Sequence, residues 1–264
     1  MYNNYNLFLQ NIINSNYEFF KSNYNYNSIL EHVSLEYGNK YLNLIENEFP
    51  NINYSIILDF CKINDLYGNP KKEKFKDLSN NILICSPTSL RYIYHSLIIL
   101  KYYSQTKCKN IVEVGCGYGG LCLAINYFMK YFDIEINNYH IIDLSEPLNL
   151  IKFYLNKHKS YIKININYHD SLTYGINIPN SKDLFFISNY CYTEIEKKHN
   201  NKYTEILLPK IINGFIIWQN GGNNGAYPIS NCSNILNKEV KKIMEEKPQT
   251  DAGYDIYMNY FVYL

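Results

Sequence analysis

From Ser86 onward the apolar positions keep helical spacing: Leu90, Ile93, Tyr94, Leu97 and Ile98 repeat at three and four residues. Ser86 offers an N-cap and Pro87 a first helical position, so the pattern predicts a helix over about 87–104. Beyond it the pattern changes. Short apolar runs alternate with helical stretches: Asn110 to Val114, then a helix from Gly119; Tyr139 to Asp143, then a helix near Pro147; Ile162 to Tyr168; Asp183 to Ser188, then a helix from Thr193; Gly214 to Trp218, then a helix holding Leu236, Val240, Ile243 and Met244. The chain closes on an aromatic and β-branched run, Ile256 to Leu264, suited to a last strand. Such alternation is the signature of a parallel sheet covered by helices. Before Ser86 the chain shows helical patches such as Ile29 to Ile45, interrupted by Gly38 and Pro50. The expected organisation is a helical N-terminal or cap region over 1–105 and an α/β domain over 106–264.

The glycines mark where the chemistry lies. Four of the twelve fall between Gly115 and Gly120, in Val112-Glu113-Val114-Gly115-Cys116-Gly117-Tyr118-Gly119-Gly120. A glycine run between a strand and a helix lets the backbone approach a ligand and leaves helix N–H groups free to face it, which suits a nucleotide-type cofactor. The next predicted strand ends in Asp143, 23 residues after Gly120, where a carboxylate can accept both hydroxyls of a ribose. Two spacings coexist. Gly115, Gly117 and Gly120 satisfy G-x-G-x-x-G, the dinucleotide pattern, whereas Glu113, Gly115, Gly117 and Gly119 satisfy an acid, one residue, then G-x-G-x-G. A glutamate inside a strand is costly for plain hydride transfer, yet it suits a cofactor with an amino group to be received.

The second spacing resembles motif I of the class I S-adenosylmethionine-dependent methyltransferases. Three further segments resemble a family of sugar O-methyltransferases: Ser86-Pro87-Thr88-Ser89-Leu90-Arg91-Tyr92, Tyr139-His140-Ile141-Ile142-Asp143-Leu144, and Ser188-Asn189-Tyr190-Cys191-Tyr192-Thr193-Glu194-Ile195, set against a family segment close to S-N-Y-x-x-S-E. The likeness runs from about residue 82 to the C-terminus. It implies a Rossmann-like, doubly wound, mostly parallel seven-stranded sheet with S-adenosyl-L-methionine as cofactor. It also implies cofactor contacts at Glu113, Gly115, Cys116, Gly117, Tyr118, Gly119, Asp143, Leu144, Ser188 and Asn189. Asp170, with Ser171, would reach the adenine amino group, unless the pair only caps a turn.

Methyl transfer to a hydroxyl needs the oxygen in line with the sulfonium methyl and a group to take one proton. Glu194 is the first candidate base, with His199 and His169 behind it. Against that role, Thr193 and Glu196 spell a capping box that would make Glu194 an ordinary first-turn acid. Trp218, Asn220 and Asn223 offer a ring and amides for an acceptor sugar, and Tyr190 joins them. With Asn189, Glu194 and Asn220 at the ends of strands four and five and no paired aspartates, no metal is expected. The rival readings are an NAD(P)-dependent oxidoreductase acting on a sugar and a non-catalytic binding protein of the same fold. The first lacks a Tyr-x-x-x-Lys pair after the fourth strand, since Glu194 stands four residues after Tyr190; the second would not need an intact glycine loop and Asp143.

Composition sharpens one residue. The chain holds 39 Asn, 36 Ile, 29 Tyr and 24 Lys against a single arginine, Arg91, a bias of AT-rich codons. A lone guanidinium in so lysine-rich a chain suggests bidentate recognition of the cofactor's carboxylate or of an acceptor phosphate. Net charge is +1, which argues against partners held by bulk charge, nucleic acid or anionic membrane among them. The first twenty residues lack a signal-peptide pattern, and the longest apolar stretch, Tyr92 to Leu100, is too short to span a bilayer. Seven cysteines without C-x-x-C spacing read as buried or loop thiols. The expectation is a soluble, cytoplasmic enzyme whose partner is a small sugar or nucleotide-sugar, with a homodimer contact through the N-terminal region left open.

Overall fold

The computed structural model describes residues 8–13, 17–27, 32–245 and 259–264. The chain forms two compact units that interleave in sequence. One comprises Met1–Lys101, Gly117–Asp133 and Glu146–Lys163; the other comprises Tyr102–Cys116, Ile134–Ser145 and Ile164–Leu264.

In the first unit, Ser34 caps helix α1 (Leu35–Glu48) by accepting from Tyr37 N, and Asn53 caps α2 (Tyr54–Asn64) by accepting from Ile56 N. Gly38 does not interrupt α1. A side chain there would meet the Phe75 ring at 2.6 Å, so the glycine lets the helix approach strand β1 (Glu73–Lys76). Residues 29–31 of the expected helical patch lie outside the described residues. Strand β2 (Ile82–Cys85) pairs antiparallel with β1, and α3 (Pro87–Tyr103) follows at the expected place. Helices α4 (Gly120–Phe128) and α5 (Ser145–Lys157) follow the glycine loop and Leu144. Phe60 of α2 packs on Tyr127 and Phe128 of α4, and Tyr127 Oη donates to Asp59 at 2.6 Å.

The second unit holds a seven-stranded sheet in the order β5-β4-β3-β6-β7-β9-β8. Its members are β3 (Asn110–Val114), β4 (Asn138–Asp143), β5 (Asn165–Asp170), β6 (Leu184–Asn189), β7 (Ile211–Gln219), β8 (Lys241–Met244) and β9 (Asn259–Tyr263). The first five pair in parallel, while β9 runs antiparallel to both neighbours. The mostly parallel Rossmann-like sheet of seven strands is therefore present, with the last strand reversed and inserted between β7 and β8. One face buries Val112, Val114, Ile142, Phe186, Ile216, Trp218 and Val262 with Tyr192, Tyr203 and Leu207.

Three local expectations change. The helix holding Leu236, Val240, Ile243 and Met244 is instead a short helix, Cys232–Leu236, followed by strand β8. Asn237 stops the helix in the left-handed conformation, and the next residues pair with β9 at the sheet edge, where Ile243 and Met244 stay exposed. The third strand starts at Asn165 rather than Ile162, because Ile162 N closes a turn on Lys159 O. The last strand is described from Asn259, and residues 256–258 lie outside the described residues.

Register is fixed by side-chain amides at the N-terminal ends of the strands. Asn110 Nδ2 donates to both carboxyl oxygens of Asp183 at 2.9 Å, Asn138 Nδ2 to Asn110 Oδ1 at 2.8 Å, and Asn165 Nδ2 to Asn138 Oδ1 at 2.8 Å. These asparagines are also cross-strand partners, Asn110 with Asn138 and Asn138 with Asn165. Asn138→Ala breaks the middle of this ladder and leaves an amide on each side without its partner. Urea unfolding is expected to show a loss of about 1 to 2 kcal/mol.

Candidate functional site

Beyond β3 the backbone enters the left-handed region at Gly115, Gly117 and Gly119, with φ of +80°, +62° and +95°. Gly119 is the N-cap of α4, so the helix start carries no capping side chain. Gly115 N still donates to Ile142 O at 3.1 Å, which carries the β3–β4 ladder one residue into the turn. A Cβ at Gly115 would collide with the Sγ and Cβ atoms of Cys191. The chain therefore needs glycine here on two counts, conformation and close approach.

Register then sets the acids. Val114 faces Ile142 and Asp143 faces Asp170, so Gly115, Asp143 and Asp170 stand side by side at the strand ends. Asp143 is pre-oriented by two backbone donors, Cys116 N to Oδ2 at 2.9 Å and Leu144 N to Oδ1 at 2.8 Å. Burial nevertheless lifts its pKa to about 6, against the lowering effect of those bonds. Asp170 accepts Leu172 N on Oδ1, capping the turn Ser171–Thr173, and Ser145 Oγ on Oδ2 at 2.7 Å.

Glu113 lies inside β3 at 2% exposure. It accepts from Tyr139 Oη at 2.8 Å and Cys116 Sγ at 2.9 Å, both on Oε2. Burial pushes its pKa up to about 7; the two hydrogen bonds pull the other way, and the Asp143 charge adds to the rise. Tyr139 was not singled out by the sequence, although two-residue alternation on β4 places it on the same face as Asp143.

After β6 the chain does not form the expected helix. Ser188 Oγ donates to Val114 O at 2.9 Å, and Asn189 Oδ1 is buried with no partner among the described residues. Tyr190 takes φ +63°, donates its backbone N–H to Ile217 O, and gives its hydroxyl to Glu245 Oε1 at 2.7 Å. Thr193 is buried and bonds Gln219, not the N–H of Glu196, and α6 (Lys197–Ile206) begins with Glu196 as N-cap. The capping box is thus not formed, and Glu194 stands outside any helix. Burial of its carboxyl raises the Glu194 pKa, while a hydrogen bond with Gln219 opposes the rise. Its backbone N–H closes a turn on Cys191 O. The Cys191 thiol is pushed well above its ordinary pKa by burial first and then by Asp143, Glu194 and Glu113. The charges of all three carboxyls are felt at this one thiol. Cys191 is a part of the site found only in the structure, whereas Gln219 opens the polar run Gln219–Gly225 after the fifth strand, whose amides suit carbohydrate recognition.

The remaining expected residues are buried or engaged within the fold. His169 Nε2 and His140 Nδ1 are 3.0 Å apart, and burial depresses both rings, His140 to about 4. His199 Nδ1 is 2.7 Å from Tyr174 Oη. Trp218 is fully buried and donates Nε1–H to Tyr227 O, so it is core and offers no ring face to an acceptor. Asn220 Oδ1 accepts Ile229 N and holds its own loop, whereas Asn223 Nδ2 donates to Ile195 O and ties that loop to the segment after β6. Within the first unit, Arg91 is 5% exposed in α3, and Tyr118 is fully buried. Among the described residues no three His, Cys, Asp or Glu side chains are grouped to hold a metal ion, and no helix is long and apolar enough to cross a membrane.

No family model and no curated protein matches the sequence. Solved structures do. The methyltransferase domain of bacterial CtHen1-CN is similar at 12% identity and a TM-score of 0.48, covering 65% of this chain and 96% of that one. A SAM-dependent methyltransferase from Aquifex aeolicus is similar at 17% identity and 0.45, covering 64% and 87%. The CMeT domain of the citrinin polyketide synthase is similar at 12% and 0.47, covering 86% and 64%. The strand order of this chain, β5-β4-β3-β6-β7-β9-β8, by itself gives the Rossmann-like sheet.

The raised Glu113 pKa fixes a sign. The folded state keeps this proton to higher pH than the unfolded chain, so stability falls as pH rises from about 4.5 to about 7. Glu113→Gln keeps both hydrogen-bond partners without the charge. It is expected to be more stable than the parent at pH 8 by up to about 3 kcal/mol, with the advantage shrinking toward pH 5. Urea unfolding at the two pH values checks it; a less stable variant at pH 8 would contradict the assignment.

Proposed function

We propose that this protein is an S-adenosylmethionine-dependent O-methyltransferase that methylates a hydroxyl of a sugar, nucleotide-linked or within a glycan. The observation that carries the reading is Asp143, whose two oxygens are each fixed by a backbone N–H beside a left-handed glycine turn. A carboxylate so held keeps a lone pair on each oxygen for a further donor and suits the paired hydroxyls of a ribose. Glu113 Oε1, which takes neither bond from Tyr139 nor from Cys116, is the oxygen we assign to the cofactor's ammonium. A cation there would favour the ionised carboxylate that burial now penalises. Asn189 Oδ1, a buried acceptor in want of a donor, fits the same ligand. We keep Arg91 as a partner for a carboxylate or phosphate on its singularity in the sequence alone.

When bound, the cofactor supplies an electrophilic methyl group. Glu194 is the residue we assign to the acceptor's proton. Burial raises its pKa, which makes the carboxylate a stronger base than a free glutamate. Thr193 and Gln219 hold each other at 3.1 Å and set the backbone from which Glu194 projects. The sugar assignment rests on the likeness of the 188–195 segment, together with the neutral amide of Gln219 beside this acid.

Calorimetry with S-adenosylhomocysteine and with NADH separates the two cofactor classes. Binding of the first alone is expected; binding of NADH alone would overturn the reading. Glu194→Gln is expected to bind S-adenosylhomocysteine like the parent while methyl transfer to sugar acceptors falls by about 10² to 10⁴. Unchanged turnover would retire Glu194 as the base.

A further inference from the structure

Lys21 is a buried ammonium with 1% exposure. Its Nζ donates to Asn64 O at 2.5 Å and lies 4.3 Å from the ring centre of Tyr118 and 5.0 Å from that of Tyr154. A network of polar side chains of the first unit surrounds this group. Asn64 Nδ2 donates to Ser89 Oγ at 2.7 Å and to Tyr118 Oη at 3.2 Å, and Tyr154 Oη donates to Asn64 Oδ1 at 2.7 Å. Ser89 Oγ in turn donates to Asp65 Oδ1 at 2.6 Å. Lys21 N donates to Gly68 O, and a side chain at Gly68 would press on Lys21 Cγ at 2.7 Å. His158, also buried, has its pKa lowered to about 4 by burial and then by the Lys21 charge.

Placing an ammonium here is expensive, since burial strips its water, and an apolar chain of the same volume would fill the space at lower cost. What the cation adds is direction: it binds ring faces and a carbonyl at once. The ring it approaches most closely has a special place in the chain. Tyr118 is the only residue with a side chain between Gly117 and Gly120. Its neighbours Gly117 and Gly119 are both left-handed. Between Gly117 and Gly120 the backbone has no other side chain by which it can be held.

We propose that Lys21 is a positioning residue for the glycine loop: by gripping Tyr118 from its ring face, while Asn64 holds the hydroxyl, it fixes the backbone of Gly117–Gly120 in the conformation that receives the cofactor. The segment carrying Lys21 thereby sets cofactor affinity from outside the motif. This inference rests on the reading of the loop as a cofactor site.

The test uses the full chain, with S-adenosylhomocysteine as the probe, and measures calorimetric affinity and amide hydrogen exchange. Lys21→Met keeps the apolar stem and removes the ammonium. It is expected to bind about tenfold more weakly, a change of roughly 1.4 kcal/mol, with faster exchange confined to the amides of residues 117–121. Lys157→Met, which removes an exposed lysine lying over the Phe153 and Tyr67 rings, serves as the control and is expected to change neither. Parent-like affinity and exchange in folded Lys21→Met would overturn the inference. So would exchange that quickens evenly across the first unit, since that is what a merely structural role gives. If Lys21→Met fails to fold, Lys21→Gln, which also removes the charge, is measured in its place against the same two outcomes. A parent protein that does not bind S-adenosylhomocysteine overturns the reading of the site instead, and the exchange comparison then decides separately whether Lys21 orders the loop.

Discussion

The parallel register of β3 against β4 is the constraint on which the site depends. A slip of one residue would turn Glu113 and Tyr139 to the opposite face and carry Asp143 away from Cys116 N. In a sheet of nearly continuous apolar strands the hydrophobic pattern alone specifies register weakly, because both faces are buried. The asparagine ladder at the N-terminal ends supplies what the pattern lacks. Its hydrogen bonds are directional and join Asn110, Asn138 and Asn165 in one alignment only. The amides at one end of the strands thus fix the acids at the other.

Those acids are held in tension. Glu113 and Asp143 are both buried enough that their ionised forms are penalised, and each raises the pKa of the Cys191 thiol. Backbone donors relieve Asp143, and Tyr139 with Cys116 relieves Glu113, yet both pKa values stay raised. Groups of one sign gathered at strand ends are stable in this form only at a cost, which a cationic ligand would lower. The physical asymmetry between the two is informative. Asp143 is fixed by backbone, which cannot rotate away, whereas Glu113 is fixed by side chains, one of them a thiol that is a weak donor.

Much of the second unit was legible. The strand–helix alternation, the glycine turn and Asp143 follow from periodicity and from the conformational freedom that only glycine has. Other features were not legible, for separate physical reasons. The edge strand Lys241–Met244 carries apolar residues at a spacing that also suits a helix, and only its pairing with β9 decides. Trp218 looked like a sugar platform because a ring before a polar loop has the same sequence whether it faces inward or outward. Thr193 and Glu196 have capping-box spacing, but the Thr193 hydroxyl is taken by Gln219, 26 residues away. Local pattern loses wherever a distant partner competes for the same atom.

The same competition bears on the lopsided composition. Asparagine, tyrosine and lysine are so frequent that none of them singly signals function, and sequence reading discounts them accordingly. Yet the ladder is built of asparagines, the hydroxyl on Glu113 is a tyrosine's, and the cation against Tyr118 is one of 24 lysines. What distinguishes these residues is a directional partner on another strand or helix, a property of the fold. A frequent residue type becomes informative once its polar atoms are out of water, because a buried donor or acceptor is tolerated only where something answers it. By that criterion Lys21 and Glu113 stand apart from the residues of the same types at the surface, and sequence frequency ranks neither of them.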